Sequence, residues 1–307
     1  MAQMSQMALE FFNVNNYFPV PWEEDSPEMV WHQTATHLRA LACIESDSDA
    51  GKLLTEYQER SLISSIYFSN HIEGKGLGVS ETTALVLQVI KGSCGIVGPQ
   101  DTYVNDITMA QREVLQHAAS FVFLHEHVVS MNQKLTTNLV LAAHKILMTN
   151  MVNEDGKSVN AGEYRTSSAH AGFHLFPPPT VVKSELEDLL ESYNTRVNSS
   201  KEDPIAIAAW LSYKFVTIRP FDDGNGRMCR ILMNIALLSC GMPFCSALGF
   251  SSGHKQAKKQ YLQCIRNARR TGDVPTRLAF VILCSIRDTL SSYFGNTLFC
   301  ATSSILP

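Results

Sequence analysis

The stretch RPFDDGNGRMCR, Arg219 to Arg230, brings two carboxylates, a Gly-Asn-Gly turn and a pair of following arginines into one short segment. Asn225-Gly226 tolerates positive φ, and Gly224 allows a ligand to come close to the backbone. From Gly226 onward, GRMCRILMNIALLSCG has helical apolar spacing and is stopped by Gly241. The free backbone N–H groups at such a helix start form an anion site. Arg227 and Arg230 lie three residues apart, so both guanidinium forks point from one face toward an anion held by the turn. Met228, Ile231, Leu232, Ile235 and Leu238 are left to cover the core side. Asp223 precedes the turn and is placed to meet a magnesium ion that bridges phosphates, because magnesium favours one or two carboxylates together with substrate oxygens. From local features alone, a capped helix start with surface ion pairs is an equally good reading. No histidine or other proton acceptor stands beside the turn.

Working outward, apolar residues recur at three- and four-residue steps over 27–45, 52–72, 80–93, 105–130, 134–149, 180–197, 204–218, 227–240, 254–271 and 274–294. The chain is therefore expected to be all-α. One exception is TSSAHAGFHLFPPP, residues 166–179, where short alternating runs flank Ala171-Gly172 and prolines close the unit, which predicts a small β-hairpin. Residues 1–25, with NVNNYFPVPWEED, are expected to form an arm laid over the surface. With no internal repeat and no low-complexity linker, the expected division is an extension and first helix over 1–50, one helical domain over 51–295 and a tail over 296–307.

The 307 residues are 45% hydrophobic and 18% charged, with a formal net charge of −4, which fits a soluble globular protein and argues against a broad nucleic-acid footprint. Lys255, Lys258, Lys259, Arg266, Arg269 and Arg270 read as one solvated helix face. No run reaches the length of a membrane helix, and MAQMSQMALEFF lacks the features of a signal segment. The eight cysteines are scattered in apolar company, as expected of reduced thiols in a cytoplasmic chain. No CxxC pair is present, and His125 and His127, two apart, would diverge on a helix, so no structural zinc site is expected.

IRPFDDGNGRMCR resembles the Fic-family signature His-x-Phe-x-(Asp/Glu)-Gly-Asn-Gly-Arg-x-x-Arg at every fixed position except the histidine, which is replaced by Arg219. SNHIEG, residues 69–74, is similar to the family's inhibitory motif (Ser/Thr)-x-x-x-Glu-(Gly/Asn), and GEYRTSSAHAGFHLFPPP resembles the stretch that forms its hairpin flap. The resemblance implies an all-α fold over about residues 55–290 and transfer of AMP from ATP to a hydroxyl side chain of a target protein, or its removal. It assigns Asp223 to magnesium, Gly224, Asn225 and Gly226 to the α- and β-phosphates, Arg227 to the β-phosphate and Arg230 to the γ-phosphate. Phe221 would anchor the loop in the core. Tyr261 falls where an aromatic residue packs near the adenine, although an ordinary core role fits nearly as well.

By the same resemblance, Glu73 pairs with Arg230 and restrains the enzyme from within. Ser69 and Glu73 are four apart on one helix face, and Gly74 can end that helix. Lys75 departs from the small polar residue of many relatives without disturbing the pairing. The family's histidine takes the proton of the attacking hydroxyl, and arginine at 219 cannot do so. The chain is then a crippled transferase, a nucleotide-binding pseudoenzyme, or an enzyme with another base, for which His71, His170 and His174 are candidates. Two further readings remain: a module that grips an extended peptide along Ser167 to Phe176, and transfer of another phosphate-containing group. Helices 105–149 could supply a homodimer surface and equally suit a core.

Overall fold

The computed structural model describes residues 10–44, 50–92, 107–153, 156–172, 174–199, 202–249, 254–272 and 274–302. Among these, the helices are α1 (Pro27–Ile44), α2 (Ala50–Ile72), α3 (Val79–Ile90), α4 (Met109–Leu124), α5 (Thr137–Met148), α6 (Pro179–Ser199), α7 (Pro204–Ile218), α8 (Asn225–Ser239), α9 (His254–Arg270) and α10 (Thr276–Thr302). Among the described residues the one sheet is an antiparallel hairpin of β1 (His170–Ala171) and β2 (His174–Leu175), with His170 opposite Leu175 and Ala171 opposite His174. The expected all-α fold with one hairpin is what the chain forms.

Local chemistry explains the ends of these helices. Asp203 caps α7 by accepting hydrogen bonds from the Ile205 and Ala206 amides at 3.0 and 3.4 Å, and Pro204 fills the first helical position. Thr108 and Gln111 form a reciprocal capping box on α4. The expected helix over 105–130 divides: α4 passes at His125 into a π-helix, His125–Ser130, while residues 105 and 106 lie outside the described residues.

At the centre lies the antiparallel pair α7–α8, packed by α4 and the π-helix on one side and by α6 and α10 on others. Phe215, Ile235 and Leu232 are fully buried, each contributing roughly 1.5–3 kcal/mol. The arm differs from its expectation. Residues 1–9 lie outside the described residues, but from there Tyr17 and Val20 enter the core instead of lying on the surface. The Tyr17 hydroxyl donates to Asp203 Oδ2 at 2.7 Å, and the Asn13 amide donates to the same oxygen at 3.2 Å. Arg287 of α10 holds Glu23 at 2.9 Å and Asp25 at 3.2 Å.

Candidate anion site at the start of α8

Chain reversal between α7 and α8 occupies residues 219–224. It opens at Arg219, left-handed at φ 50°, and closes at Gly224, φ +76°. The positive φ expected of Asn225-Gly226 falls on Gly224 instead, and both of those residues are already helical, so α8 begins two residues earlier than the apolar period suggests. Gly224 also lies so near α5 that an added Cβ would stand 2.8 Å from Met148 Sδ and 3.1 Å from His144 Nε2. No other residue fits there without strain.

Asn225 fixes the loop rather than facing a ligand. Its Oδ1 accepts from the Phe221 amide at 3.0 Å, and its Nδ2 donates to the Phe221 carbonyl at 2.7 Å. Phe221 is fully buried and stacks on the His144 ring, with centroids 3.6 Å apart. His144 Nδ1 accepts from the Gly162 amide at 2.9 Å, so its Nε2–H donates to the Asp223 carbonyl at 3.0 Å. Burial, with Arg227 nearby, holds the His144 imidazole neutral, its pKa down at about 3.

A second clamp is Arg165, 2% exposed. Its Nε donates to the Arg219 carbonyl at 2.7 Å, Nη1 to that of Ser167 at 3.0 Å, and Nη2 to Pro177 at 2.5 Å and Ile218 at 3.4 Å. One guanidinium thus ties the motif loop to both ends of the hairpin. Neither His144 nor Arg165 was singled out from the sequence. Each acts through residues distant in the chain, and the only signals are a lone histidine in the apolar run LAAHKIL and an arginine in GEYRTSS.

The two arginines of α8 are buried, Arg227 at 2% and Arg230 at 3% exposed. Arg230 Nε donates to Ser69 Oγ at 2.8 Å and Nη2 to the Ser69 carbonyl at 3.0 Å, while the same Nη2 meets Glu73 Oε1 at 2.5 Å. A Cβ placed on Gly226 would collide with that Glu73 oxygen. The Glu73 carboxylate therefore rests directly on the N-terminal turn of α8. Arg227 Nη1 and Arg230 Nη1 have no hydrogen-bond partner among the described residues. Burial alone would raise the Glu73 pKa, but Arg230, then Arg227 and Lys258, hold it below the usual carboxylate value. Gly74 ends the turn after α2 at φ +74°, and Lys75 pairs with the buried Glu113 at 3.1 Å, away from Glu73.

The remaining residues fall as follows. Asp223 is half-buried beside the turn, its Oδ1 accepting from the Gly224 amide at 2.6 Å. Among the described residues no group of three or more His, Cys, Asp or Glu side chains assembles, so a cation here would take Asp223 and otherwise substrate oxygens and water. Tyr261 is buried, its hydroxyl 3.2 Å from Cys229 Sγ and its ring 5.9 Å from the Arg230 guanidinium. The Arg219 guanidinium lies over the Phe176 ring at 5.2 Å, and His174 meets the same ring edge-on at 4.9 Å. His170 stands on β1, and the His71 ring packs at a tilt against Tyr67 near the end of α2, centroids 4.2 Å apart. Lys258, Lys259, Arg266 and Arg270 are exposed as expected, whereas Arg269 is half-buried and reaches over Phe176 at 5.3 Å.

Such a site defines a helical scaffold whose anion cradle is filled by a carboxylate of its own chain. A family model described as Fic/DOC matches residues 134–237. A Fido domain-containing protein of Dictyostelium discoideum is 35% identical over 144 residues, 46% of this chain and 96% of that protein. Protein adenylyltransferase Fic of Aedes aegypti is 26% identical over 257 residues, covering 83% of this chain and 46% of that protein, so the chain spans about half the length of that relative. Fic-1 from C. elegans overlays with a TM-score of 0.63 at 21% identity, over 90% of this chain and 76% of that one. A Fic domain-containing signaling protein from Bacteroides thetaiotaomicron has the same TM-score at 18% identity, over 86% and 98%. The chain belongs to the Fic/DOC family.

Proposed function

We propose that this chain binds ATP at the start of α8, as a Fic-type protein adenylyltransferase scaffold restrained by Glu73, and that AMP transfer to a protein hydroxyl is crippled by Arg219. The observation that carries this reading is the Glu73 carboxylate lying on Gly226 and Arg230, the position where an incoming phosphate would rest. A carboxylate at that position competes with phosphate for the same amides and the same guanidinium. The unpartnered Nη1 groups of Arg227 and Arg230 are donors suited to additional anionic oxygens. Asp223 would hold magnesium, which supplies charge neutralisation to the phosphates when bound. The names of relatives such as protein adenylyltransferase Fic of Aedes aegypti support ATP as the donor and protein as the target.

The acceptor hydroxyl must lose its proton, and a positioned base contributes typically about 10²–10⁴-fold. A guanidinium cannot take that role. Nor can His144, whose two nitrogens hold the loop. The experiment measures ATP binding and labelling of the chain and a lysate with radioactive AMP, for the chain as it stands and for Glu73→Gly, Arg219→His and the double variant. ATP affinity is expected to rise with Glu73→Gly, and labelling to be strongest in the double variant. Absence of saturable ATP binding after Glu73→Gly would remove the proposal. One observation favours a further role for the hairpin: Leu175 on β2 is 69% exposed beside open strand edges, a fit for an extended segment of the target.

A further inference from the structure

Resting on that reading of the site, we infer that α4 aims Glu73: Lys75 and Asn70 are positioning residues that tie the turn carrying Glu73 to Glu113 and His117, and those ties set the affinity for ATP. The carboxylate reaches Gly226 and Arg230 from the first residue beyond α2, so its position is only as firm as the turn behind it. In that turn the Glu73 and Lys75 amides both donate to the Asn70 carbonyl, at 3.1 and 3.0 Å, and the Gly74 amide donates to that of His71 at 2.9 Å. The chain then passes back against α2 at Gly76, where an added Cβ would stand 3.0 Å from Asn70 Cβ. Asn70 is the post around which residues 73–76 are wound.

Both ends of this turn continue to α4. Lys75 Nζ lies 3.1 Å from Glu113 Oε1, and Asn70 Oδ1 accepts from His117 Nδ1 at 2.9 Å. Glu113 and His117 are four residues apart, so α4 presents both from one face. Glu113, His117 and Asn70 are all buried, which makes the ties costly to lose. A buried carboxylate without its cation, or a buried amide oxygen without its donor, has given up water with nothing in return. Asn70 Nδ2 has no hydrogen-bond partner among the described residues, so the side chain is secured through Oδ1. Burial, with Arg227 and Arg230 nearby, pushes the His117 pKa well down, and the neutral ring gives its Nδ1 proton to Asn70.

The same helix is fixed to the frame that shapes the anion cradle. Gln116 Nε2 donates to the Thr149 carbonyl at 2.7 Å and Ser120 Oγ to that of Ala143 at 2.9 Å, which joins α4 to α5 and its cap, and α5 carries the His144 that holds Asp223. ATP enters the cradle when the Glu73 carboxylate is out of it, so the observed affinity is the intrinsic one scaled by the fraction of chains in that state. Loosening the turn spreads the carboxylate over other orientations and raises that fraction. The sign of the effect separates this from a plain charge effect, because removing a positive charge at Lys75 does not by itself strengthen the binding of an anion.

The test titrates ATP with magnesium into the full chain and into Lys75→Met, Lys75→Arg, Asn70→Ala and the paired Lys75→Met/Glu113→Leu, each with Glu73 present and with Glu73→Gly. Lys75→Met and Asn70→Ala are expected to tighten ATP by about three- to tenfold while Glu73 is present and to change nothing once it is glycine. Lys75→Arg keeps the charge opposite Glu113 and is expected to stay at the parent affinity. The paired variant leaves no orphaned carboxylate and no change of net charge, and is expected to show the same gain if Lys75→Met alone proves too unstable to titrate. Amide hydrogen exchange over residues 70–77 is expected to quicken in Lys75→Met, since the Glu73 and Lys75 amides lose a fixed acceptor. Affinity unchanged in both Lys75→Met and the paired variant while Glu73→Gly tightens it, a gain that persists undiminished after Glu73→Gly, or unchanged exchange over 70–77 each overturns the inference. ATP that fails to bind after Glu73→Gly removes the underlying reading instead, whatever the Lys75 variants do.

Discussion

His144 shows how one side chain sets the geometry of a site without touching a ligand. Its Nδ1 and Nε2 join Gly162 to Asp223, and its ring supports Phe221, so protonation would break the bond at Nδ1 and place a charge beside Arg227. With the folded pKa at about 3 and the unfolded value near 6.5, the unfolded chain binds the extra proton between those limits. Stability therefore rises with pH across that window, by up to about 1.4 kcal/mol per pH unit from this residue. His144→Gln is expected to flatten the dependence of urea unfolding free energy between pH 7 and 5, and a slope equal to that of the parent chain would contradict the assignment. Arg165→Ala should be harsher, roughly 2–5 kcal/mol, because it orphans carbonyls of the loop and the hairpin together. The placement of Arg227 and Arg230 on one face of a helix start, and of Glu73 at a helix end, is legible from local spacing, whereas the pairing of Glu73 with Arg230 was implied by the resemblance alone. His144 and Arg165 are not legible, because what they do depends on atoms up to 79 residues away.

At the level of elements, the joint between α2 and α8 is what makes the site self-occupying. Gly226 is the contact surface, and its missing side chain is the space that Glu73 uses. Gly226→Ala should therefore differ from Glu73→Gly: the methyl group would intrude on bound phosphate as it does on the carboxylate. Isothermal titration with ATP is expected to show lost binding in Gly226→Ala even when combined with Glu73→Gly, with a melting temperature no lower than that of Glu73→Gly alone, since alanine is the better helix former by about 0.5–1 kcal/mol. Retained tight binding would place phosphate elsewhere. The helices themselves were readable because apolar residues repeat at three- and four-residue steps. The turn was read less well. Gly-Asn-Gly offers several positions for a left-handed residue, and the choice of Gly224 is made by the packing of Met148 and His144, which no local pattern contains.

Across the whole molecule, the N-terminal arm and the motif loop occupy opposite ends of α7. Asp203 opens that helix while accepting from Tyr17, Asn13 and Asn16, and Arg219 closes it. Tyr17→Phe leaves a buried carboxylate short of one donor, and chemical denaturation should show a loss of about 1–3 kcal/mol. ATP affinity is expected to stay unchanged, because the 15 residues of α7 separate the two ends by roughly 20 Å. A coupled loss of affinity would mean that the helix moves as a lever. The arm's docking was not legible, since NVNNYFPVPWEED has no periodicity and its partner lies 186 residues away.

The five described thiols, Cys229, Cys240, Cys245, Cys264 and Cys284, are all buried. Burial pushes Cys240, Cys245 and Cys264 up to about 12, and it raises Cys229 and Cys284 as well. A neutral, enclosed sulfur does not react with iodoacetamide, so each is silent until its surroundings part. Cys229 lies between Ser212 and Tyr261, one residue before Arg230, which makes it a clock wound into the seam of the site. The rate at which alkylation marks Cys229, read by mass spectrometry against the other four, counts how often that seam breathes, and a nucleotide that locks it would slow the count.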